Sequence, residues 1–326
     1  MTRAICIPFH RYHPQVLDFY KVYYDVLVQT FKDYTSEFDK LYLIDSDWEF
    51  SVPDTEKAKS VGIDVEVIKS KRPGHHWIQF EDALPRLKEK YVLFLDNDVL
   101  IYKKGTIDGW FKAGEKSDIV TAYDGSGGMK ELVRGKFPLL NSLSATRMGS
   151  YYFVANESVR KIMSETQMAP IYYQKGTRIE ELDYETRDDD WFDSFGLLTV
   201  KLLNAGCSFS KIEDDRSSIY LDNGEIYADP ETSMDLGYYH IRNGNLPVYF
   251  LNNFISQNKK DYDHLIKITP QRELLRILVW FDYFQRLLGD KHREDIDSGL
   301  RDINVNLELW EEYVKRFKKY HGLKKI

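Results

Sequence analysis

The chain has 326 residues, of which 43% are hydrophobic and 30% are charged, so it is long enough for one large or two smaller domains and too apolar to be disordered. Its formal net charge of −7 disfavours a general nucleic-acid-binding protein, which needs a basic face against the phosphate backbone. Apolar runs fall short of the roughly 18 residues of a membrane span, and the N-terminus lacks the apolar segment of a secretory signal. These features predict a cytoplasmic globular protein that acts on small molecules.

Short β-rich runs alternate with longer amphipathic stretches over the first hundred residues, which is typical of a mostly parallel sheet built from strand–helix–strand units. Such sheets bind ligands at the carboxyl ends of their strands, so the polar residues after each strand are the first candidates for a site. The two cysteines, Cys6 and Cys207, lie in apolar surroundings and predict buried thiols rather than a disulfide. The predicted elements of this half are strands over 4–9, 40–44, 65–68 and 91–95 and helices over 15–34 and 77–89.

The second half of the chain is less regular. Asn223-Gly224 predicts a hairpin, because this pair tolerates the positive φ of a two-residue turn. From Pro270 onward, apolar residues at helical spacing predict a C-terminal helical segment. The other predicted elements are a helix–strand unit over 105–122, a strand over 150–154, a helix over 157–165, a helix that follows 188–190 and ends at 204, and hairpin strands over 218–221 and 225–228.

The most informative stretch is the apolar strand over 91–95 followed by Asp96, Asn97 and Asp98. Two carboxylates two residues apart leave the end of a strand on the same face. Mg²⁺ and Mn²⁺ take one or two such carboxylates and complete their coordination with phosphate oxygens and water. An Asp pair can also cap the turn after a strand, so the pattern leaves both a metal site and a turn open.

With this Asp-x-Asp motif after the fourth strand of the alternation, the sequence resembles the nucleotide-diphospho-sugar glycosyltransferases of the GT-A fold over roughly residues 3–245. The resemblance implies an α/β, GT-A-like (Rossmann-like) fold with a mostly parallel sheet flanked by helices. It also implies a catalytic domain over 1–265, with a nucleotide-binding half over 1–100 and an acceptor half over 101–265. A C-terminal helical segment over 266–326 would follow this domain.

In that family the Asp-x-Asp motif binds Mn²⁺ or Mg²⁺ and, through the metal, the diphosphate of the donor, which assigns Asp96, Asn97 and Asp98 to this role. A late histidine often adds a metal ligand, and His240 is the best match, with a half-buried structural histidine as the alternative. Arg242 would bind the diphosphate, unless it is an ordinary surface arginine. The resemblance places the following residues around the donor nucleotide: Pro8, Phe9, His10, Arg11, Asp45, Arg72, His75 and Gln79.

The acidic run Asp188-Asp189-Asp190 resembles the motif that opens a late helix of the family, where a carboxylate faces the acceptor hydroxyl. In an inverting enzyme this carboxylate is the general base that takes the hydroxyl proton during attack on the anomeric carbon. Asp190 is the predicted base and Asp189 the second choice. Helix capping accounts for one of the three, and in a retaining enzyme they would only orient the acceptor.

These expectations describe a metal-dependent hexosyltransferase that moves a sugar from a nucleotide-diphosphate-sugar to a hydroxyl of a carbohydrate or glycoconjugate acceptor. The resemblance alone implies a uridine nucleotide. The alternatives are a magnesium-dependent phosphohydrolase of haloacid dehalogenase type and a noncatalytic nucleotide-sugar or carbohydrate binder. The basic stretch over 311–326 predicts either a peripheral contact with an anionic membrane or packing on the parent domain or a second subunit.

Overall fold

A computed structural model describes residues 2–9, 27–28, 31–32, 35, 38–45, 55–71, 76–97, 99–101, 104–124, 129–137, 147–211, 219–222, 225–228 and 238–240. The strands within these residues are β1 (Arg3–Phe9), β2 (Lys40–Asp45), β3 (Val65–Lys69), β4 (Tyr91–Leu95), β5 (Val99–Ile101), β6 (Ile119–Asp124), β7 (Arg147–Asn156), β8 (Ile171–Tyr172), β9 (Arg178–Ile179), β10 (Tyr184–Glu185), β11 (Trp191–Phe192), β12 (Phe209–Lys211), β13 (Ile219–Asp222), β14 (Glu225–Ala228) and β15 (Tyr238–His240). The helices within them are α1 (Glu56–Ser60), α2 (His76–Ala83), α3 (Thr106–Gly114), α4 (Lys130–Lys136), α5 (Glu157–Ser164) and α6 (Gly196–Asn204), with 3-10 turns at Leu84–Arg86 and Glu180–Leu182.

Seven strands form one sheet in the order β12-β6-β7-β4-β1-β2-β3. Neighbouring strands are parallel except at β7, which is antiparallel to both β4 and β6. All five residues of β4 are buried, as the uninterrupted apolar run predicts for a strand covered on both faces. The mostly parallel sheet flanked by helices, expected of a GT-A-like fold, is therefore confirmed.

Helices cover both faces of this sheet. On one face, α2 packs against β1 and β2, and α6 packs against β7. The core of this face is aromatic: Phe94 stacks on Phe153 with ring centroids 4.7 Å apart and meets Phe80 of α2 edge-on at 5.0 Å. On the opposite face α3 packs so closely that a Cβ at Gly114 would lie 3.0 Å from Cγ1 of Val154. This packing fixes the strand ends that carry the candidate site.

The predicted elements agree with the structure in most of the described parts of the chain. The hairpin is confirmed, because β13 and β14 pair up to Asp222 opposite Glu225 and leave a two-residue connection. The predicted helix over 77–89 is shorter: α2 ends at Ala83, and a 3-10 turn containing Pro85 follows, since proline cannot donate to a continuing α-helix. The short helix α1 was not predicted. The C-terminal segment over 266–326 lies outside the described residues.

The two cysteines are free thiols, as predicted. Cys6 is fully buried on β1, and this burial raises its pKa far above the ordinary value. Cys207 is only partly buried, which differs from the prediction of two buried thiols. Among the described residues, no helix combines the length and the apolar character needed to cross a membrane.

Candidate functional site

The carboxyl ends of β1 and β4 define the candidate site. From β1 the chain continues to β2 and β3 on one side, and β4 then lies on the other side of β1, so the strand order reverses between β1 and β4. In open α/β sheets, ligands bind in the crevice at such a reversal, outside the carboxyl ends of the strands. Phe9 ends β1 here and Asp96 directly follows β4. The strand order alone thus brings the Asp-x-Asp motif to the expected ligand-binding edge.

Asp96 and Asn97 form a tight turn at this edge. Their exposed fractions are only 8% and 6%. The backbone N–H of Asn97 donates to Oδ1 of Asp96 at 3.1 Å, and the N–H of Val99 donates to the Asp96 carbonyl at 3.3 Å. Asp96 therefore caps the turn, and the same hydrogen bonds hold the Asp96 carboxylate at the end of β4. A capped turn and a metal site are thus compatible alternatives for the motif. Asp98 lies outside the described residues.

A long-range strand pair brings His240 to the same place. β15 runs antiparallel to β5, with His240 opposite Val99, the residue that follows Asp98. Directly opposed residues in such a pair have their Cα atoms about 4.5–5.5 Å apart. Two carboxylates and an imidazole are a donor set that Mn²⁺ accepts. Among the described residues no three His, Cys, Asp or Glu side chains form a metal-binding cluster, but Asp98 is not one of these residues.

The predicted nucleotide-binding positions on β1 and β2 lie next to each other. Phe9 is opposite Asp45 in the parallel register, and both end their strands. Pro8 is buried and Asp45 is half-buried. The carbonyl of Asp45 accepts from the N–H of Ser70 at 2.8 Å, which ties the end of β2 to the residue after β3. The row of strand ends predicted from the sequence is thus present.

Helix α2 is tied to the end of β3 by hydrogen bonds. The Asp82 carboxylate accepts from the Ser70 hydroxyl and from the Lys71 N–H, both at 2.7 Å, so α2 fixes the start of the segment that leads into it. Gln79, however, is completely buried in α2, and this leaves no accessible surface of its side chain for a donor to contact. The remaining predicted donor-binding residues lie outside the described residues: His10, Arg11, Arg72, His75 and Arg242.

The acidic run does not open a helix, and that prediction is wrong. α6 begins at Gly196, after Phe195 in a left-handed conformation with φ of 66°. Asp188, Asp189 and Asp190 lie instead before β11, whose two residues pair with β8 and keep the chain extended. Oδ2 of Asp190 accepts from the Tyr184 hydroxyl at 2.9 Å and from the Arg187 N–H at 2.7 Å. The hydrogen bond to Asp190 raises the pKa of Tyr184.

The carboxylate that stands before α6 is Asp193, which was not predicted. It is half-buried, its Oδ1 accepts from the Ser194 N–H at 2.7 Å, and its carbonyl accepts from the Gly196 N–H at 2.9 Å. The one sequence feature that points this way is the interval of 16 positions from Asp190 to Gly206, which is long for the nine-residue helix α6 that ends two residues before that glycine.

Aromatic rings connect the start of α6 to the Asp96 edge. Phe195 stacks on His76, the first residue of α2, with centroids 5.9 Å apart and planes 3° from parallel. Phe195 also meets Phe153 at 5.8 Å, and Phe153 stacks on Phe94, two residues before Asp96. The start of α6, and Asp193 with it, therefore lies at the same end of the sheet as the Asp-x-Asp motif.

Comparisons with known proteins give distant structural similarity only. No known protein family and no curated protein matches the sequence. Glucosyl-3-phosphoglycerate synthase from Mycobacterium tuberculosis, solved with Mn²⁺, UDP and phosphoglyceric acid, has a TM-score of 0.38 and 15% identity over 64% of this chain and 67% of that chain. Mannosyl-3-phosphoglycerate synthase from Rubrobacter xylanophilus has a TM-score of 0.38 and 17% identity over 65% of each chain. Because both TM-scores lie below 0.5, the fold is assigned from this chain's own strand order.

Proposed function

We propose that this protein is a metal-dependent glycosyltransferase that moves a sugar from a nucleotide-diphosphate-sugar, with UDP as the nucleotide, to an acceptor hydroxyl. The observation that carries the proposal is the strand pair that sets His240 opposite Val99, directly after the Asp-x-Asp motif. This pair sets the backbone of His240 beside the residue that follows Asp98, and Asp96 ends β4 at the carboxyl edge of a sheet whose strand order reverses at that point.

Asp96, Asp98 and His240 would hold Mn²⁺ or Mg²⁺. The metal, when bound, stabilises the negative charge that develops on the departing diphosphate. The strand ends at Phe9 and Asp45 form the adjacent surface for the nucleoside, because they continue the same edge beyond β4. Donor and metal therefore occupy neighbouring parts of one edge.

Asp193 would activate the acceptor. In an inverting transfer, the acceptor oxygen forms a new bond to the anomeric carbon as the bond from that carbon to the diphosphate breaks. The electron pair of that bond leaves with the diphosphate, and the hydroxyl proton goes to the carboxylate. The general base expected from the resemblance is a carboxylate at the start of the late helix, and Asp193 is the one that precedes α6. Asp190 is instead bonded within its own loop to Tyr184 and Arg187.

The phosphohydrolase alternative is not supported. It requires a second acidic pair at the end of a strand near the first, whereas the residues over 180–187 form a 3-10 turn and part of the small β9–β10 hairpin, outside the large sheet. A noncatalytic nucleotide-sugar binder shares the same edge and differs only in turnover. Turnover is therefore part of the test.

The test is a thermal-shift titration of the full chain with UDP in Mn²⁺, in Mg²⁺ and in EDTA, followed by measurement of UDP release from UDP-glucose and other UDP-sugars. We expect metal-dependent stabilisation, about 2.7 kcal/mol at a hundredfold excess of ligand over its dissociation constant. Asp98→Asn should remove both the shift and UDP release. Asp64→Asn is the matched control, because Asp64 is an exposed carboxylate that precedes β3, at the opposite edge of the sheet.

Three outcomes separate the functions. A metal-dependent shift together with UDP release supports the transferase. A shift without release from any UDP-sugar in the presence of acceptor sugars indicates the noncatalytic binder. A protein that UDP does not stabilise in any metal overturns the proposal. Membrane contact by the segment over 311–326 stays a separate prediction, which liposome flotation with and without anionic lipid checks.

A further inference from the structure

The β8–β11 pair carries two stacked aromatic rings at the surface. Tyr172 and Trp191 are directly opposite each other in the antiparallel register, with ring centroids 5.7 Å apart and planes 14° from parallel. Tyr172 is 77% exposed, the most exposed large hydrophobic side chain among the described residues. We refer to Tyr172 and Trp191 as the aromatic platform.

The aromatic platform is not part of the hydrophobic cluster that its neighbour Phe192 joins. Phe192, the neighbour of Trp191 on β11, is 3% exposed and packs in a cluster with Val133 of α4 and Val200 of α6. Successive residues of a strand point to opposite sides, so Phe192 faces the core and Trp191 faces outward. The outer side of the pair is therefore available to a ligand that packs on an aromatic ring.

The shape and charge of the surroundings narrow the class of ligand. Residues 171–195 contain eight acidic and three basic residues, so the local field repels an anionic ligand. Two of the basic residues are paired, Lys175 with Asp188 and Arg178 with Asp183. The two rings lie in near-parallel planes, and they do not form a cage of differently oriented rings around a cation. A neutral sugar fits both features, since its C–H face packs on an aromatic ring and its hydroxyls donate to carboxylates.

The platform also lies next to the proposed base. Trp191 and Asp193 are two residues apart, both are half-buried, and the buried Phe192 separates them. Asp193 directly follows β11 and begins the turn into α6, so its Cα lies at most about 7 Å from that of Trp191.

We propose that Tyr172 and Trp191 form the acceptor subsite and that the acceptor is a neutral carbohydrate, whose ring stacks on the platform and whose hydroxyl reaches Asp193. This inference rests on the proposed transferase function and names its acceptor class. It excludes a small anionic acceptor, because the acidic segment over 180–193 would oppose its approach.

Ligand-observed saturation-transfer NMR on the full chain tests the platform directly. The probes are methyl α-mannopyranoside, methyl β-glucopyranoside, methyl β-galactopyranoside and cellobiose, with 3-phosphoglycerate and choline as the charged comparisons. We expect transfer to at least one neutral glycoside, a loss of at least tenfold in its affinity in Tyr172→Ala, and recovery of that affinity in Tyr172→Phe, which keeps the ring. Val67→Ala is the control, since Val67 is a partly exposed apolar residue on β3, away from the platform.

Three results would each overturn the assignment of the platform as a sugar subsite. They are transfer to none of the glycosides, equal transfer with Tyr172→Ala, and a preference for 3-phosphoglycerate or choline. The fold of Tyr172→Ala is checked by its melting temperature, which the removal of an exposed ring should leave within a few degrees. The shift by UDP and Mn²⁺ is measured on the same samples. If that shift is absent from the wild-type protein, the transferase function fails; if it is present and the glycosides do not bind, only the platform fails.

Discussion

The backbone of His240 lies opposite that of Val99 in an antiparallel pair, although the two residues are 141 positions apart in the chain. This pairing places β15 beside β5, the strand that follows the Asp-x-Asp motif. We predict that His240→Ala weakens Mn²⁺ binding in the presence of UDP at least tenfold, because the variant lacks one of the three proposed protein ligands. Isothermal titration of Mn²⁺ into the UDP-saturated protein measures the change. Wild-type affinity in the variant would show that His240 is a structural histidine.

We predict that substitution of Asp193 lowers catalysis and that substitution of Asp190 lowers stability. Asp193→Asn should lower kcat by about 10²–10⁴-fold, the usual contribution of a general base, and leave the KM for the donor unchanged. Asp190→Asn should instead act on stability, because it weakens the acceptor of the Tyr184 and Arg187 hydrogen bonds. Steady-state kinetics and melting temperatures of both variants separate the two roles. A kcat loss confined to Asp190→Asn would reinstate Asp190 as the base.

Arg160 stabilises the amino edge of the sheet, opposite the candidate site. Arg160 is 7% exposed, and its guanidinium donates to the carbonyls of Glu89, Lys90 and Ala155. Arg160→Met should lower the free energy of unfolding by about 2–4 kcal/mol, because these buried and part-buried carbonyls lose their donor. Urea unfolding measures this loss. Lys161→Met, the exposed neighbour on α5, is the control and should change stability by about 0.5 kcal/mol or less.

Asp118 should make stability depend on acid pH. The Ser208 backbone N–H and hydroxyl, with the Asn156 amide, donate to its carboxylate and lower its pKa below the ordinary value of 3.8. The folded protein therefore favours the ionised form, so this stabilisation is complete well above pH 3.8 and is lost as the pH falls through the lower pKa of the folded state. Urea unfolding of the wild-type protein and Asp118→Ala from pH 7 to pH 3 should show a difference that narrows at the acid end. A difference that stays constant over this range would contradict the assignment.

Local patterns predicted the strands of the nucleotide-binding half, because they are rich in apolar and β-branched residues and are bounded by polar ones, and β4 with Asp96 is the clearest case. They also predicted the β13–β14 hairpin from its Asn-Gly pair. Short elements without an apolar stripe were missed: α1 has five residues, and only Ala58 is buried.

Long-range pairing accounts for the errors at the site. Trp191 and Phe192 are extended because they pair with Tyr172 and Ile171 of β8, and this pairing moves the start of α6 past the acidic run. The position of His240 likewise depends on β5, which the sequence pattern did not identify as a strand. Residue types therefore identified the metal-binding candidates, while only the pairing of distant strands could locate the carboxylate on the acceptor side.

The antiparallel direction of β7 places both ends of the β6–β7 connection at the candidate edge of the sheet. Because β7 runs against β6, Asp124 and Arg147 are paired, and the 22 residues between them leave and re-enter the sheet at the candidate edge. This connection includes α4, whose Val133 packs with Phe192 and Val200 beside the aromatic platform. An exchange of the connection that keeps these two end residues would retain the strand register and change the surface beside the aromatic platform. A chimaera built at Asp124 and Arg147 would thus alter this surface without rebuilding the sheet.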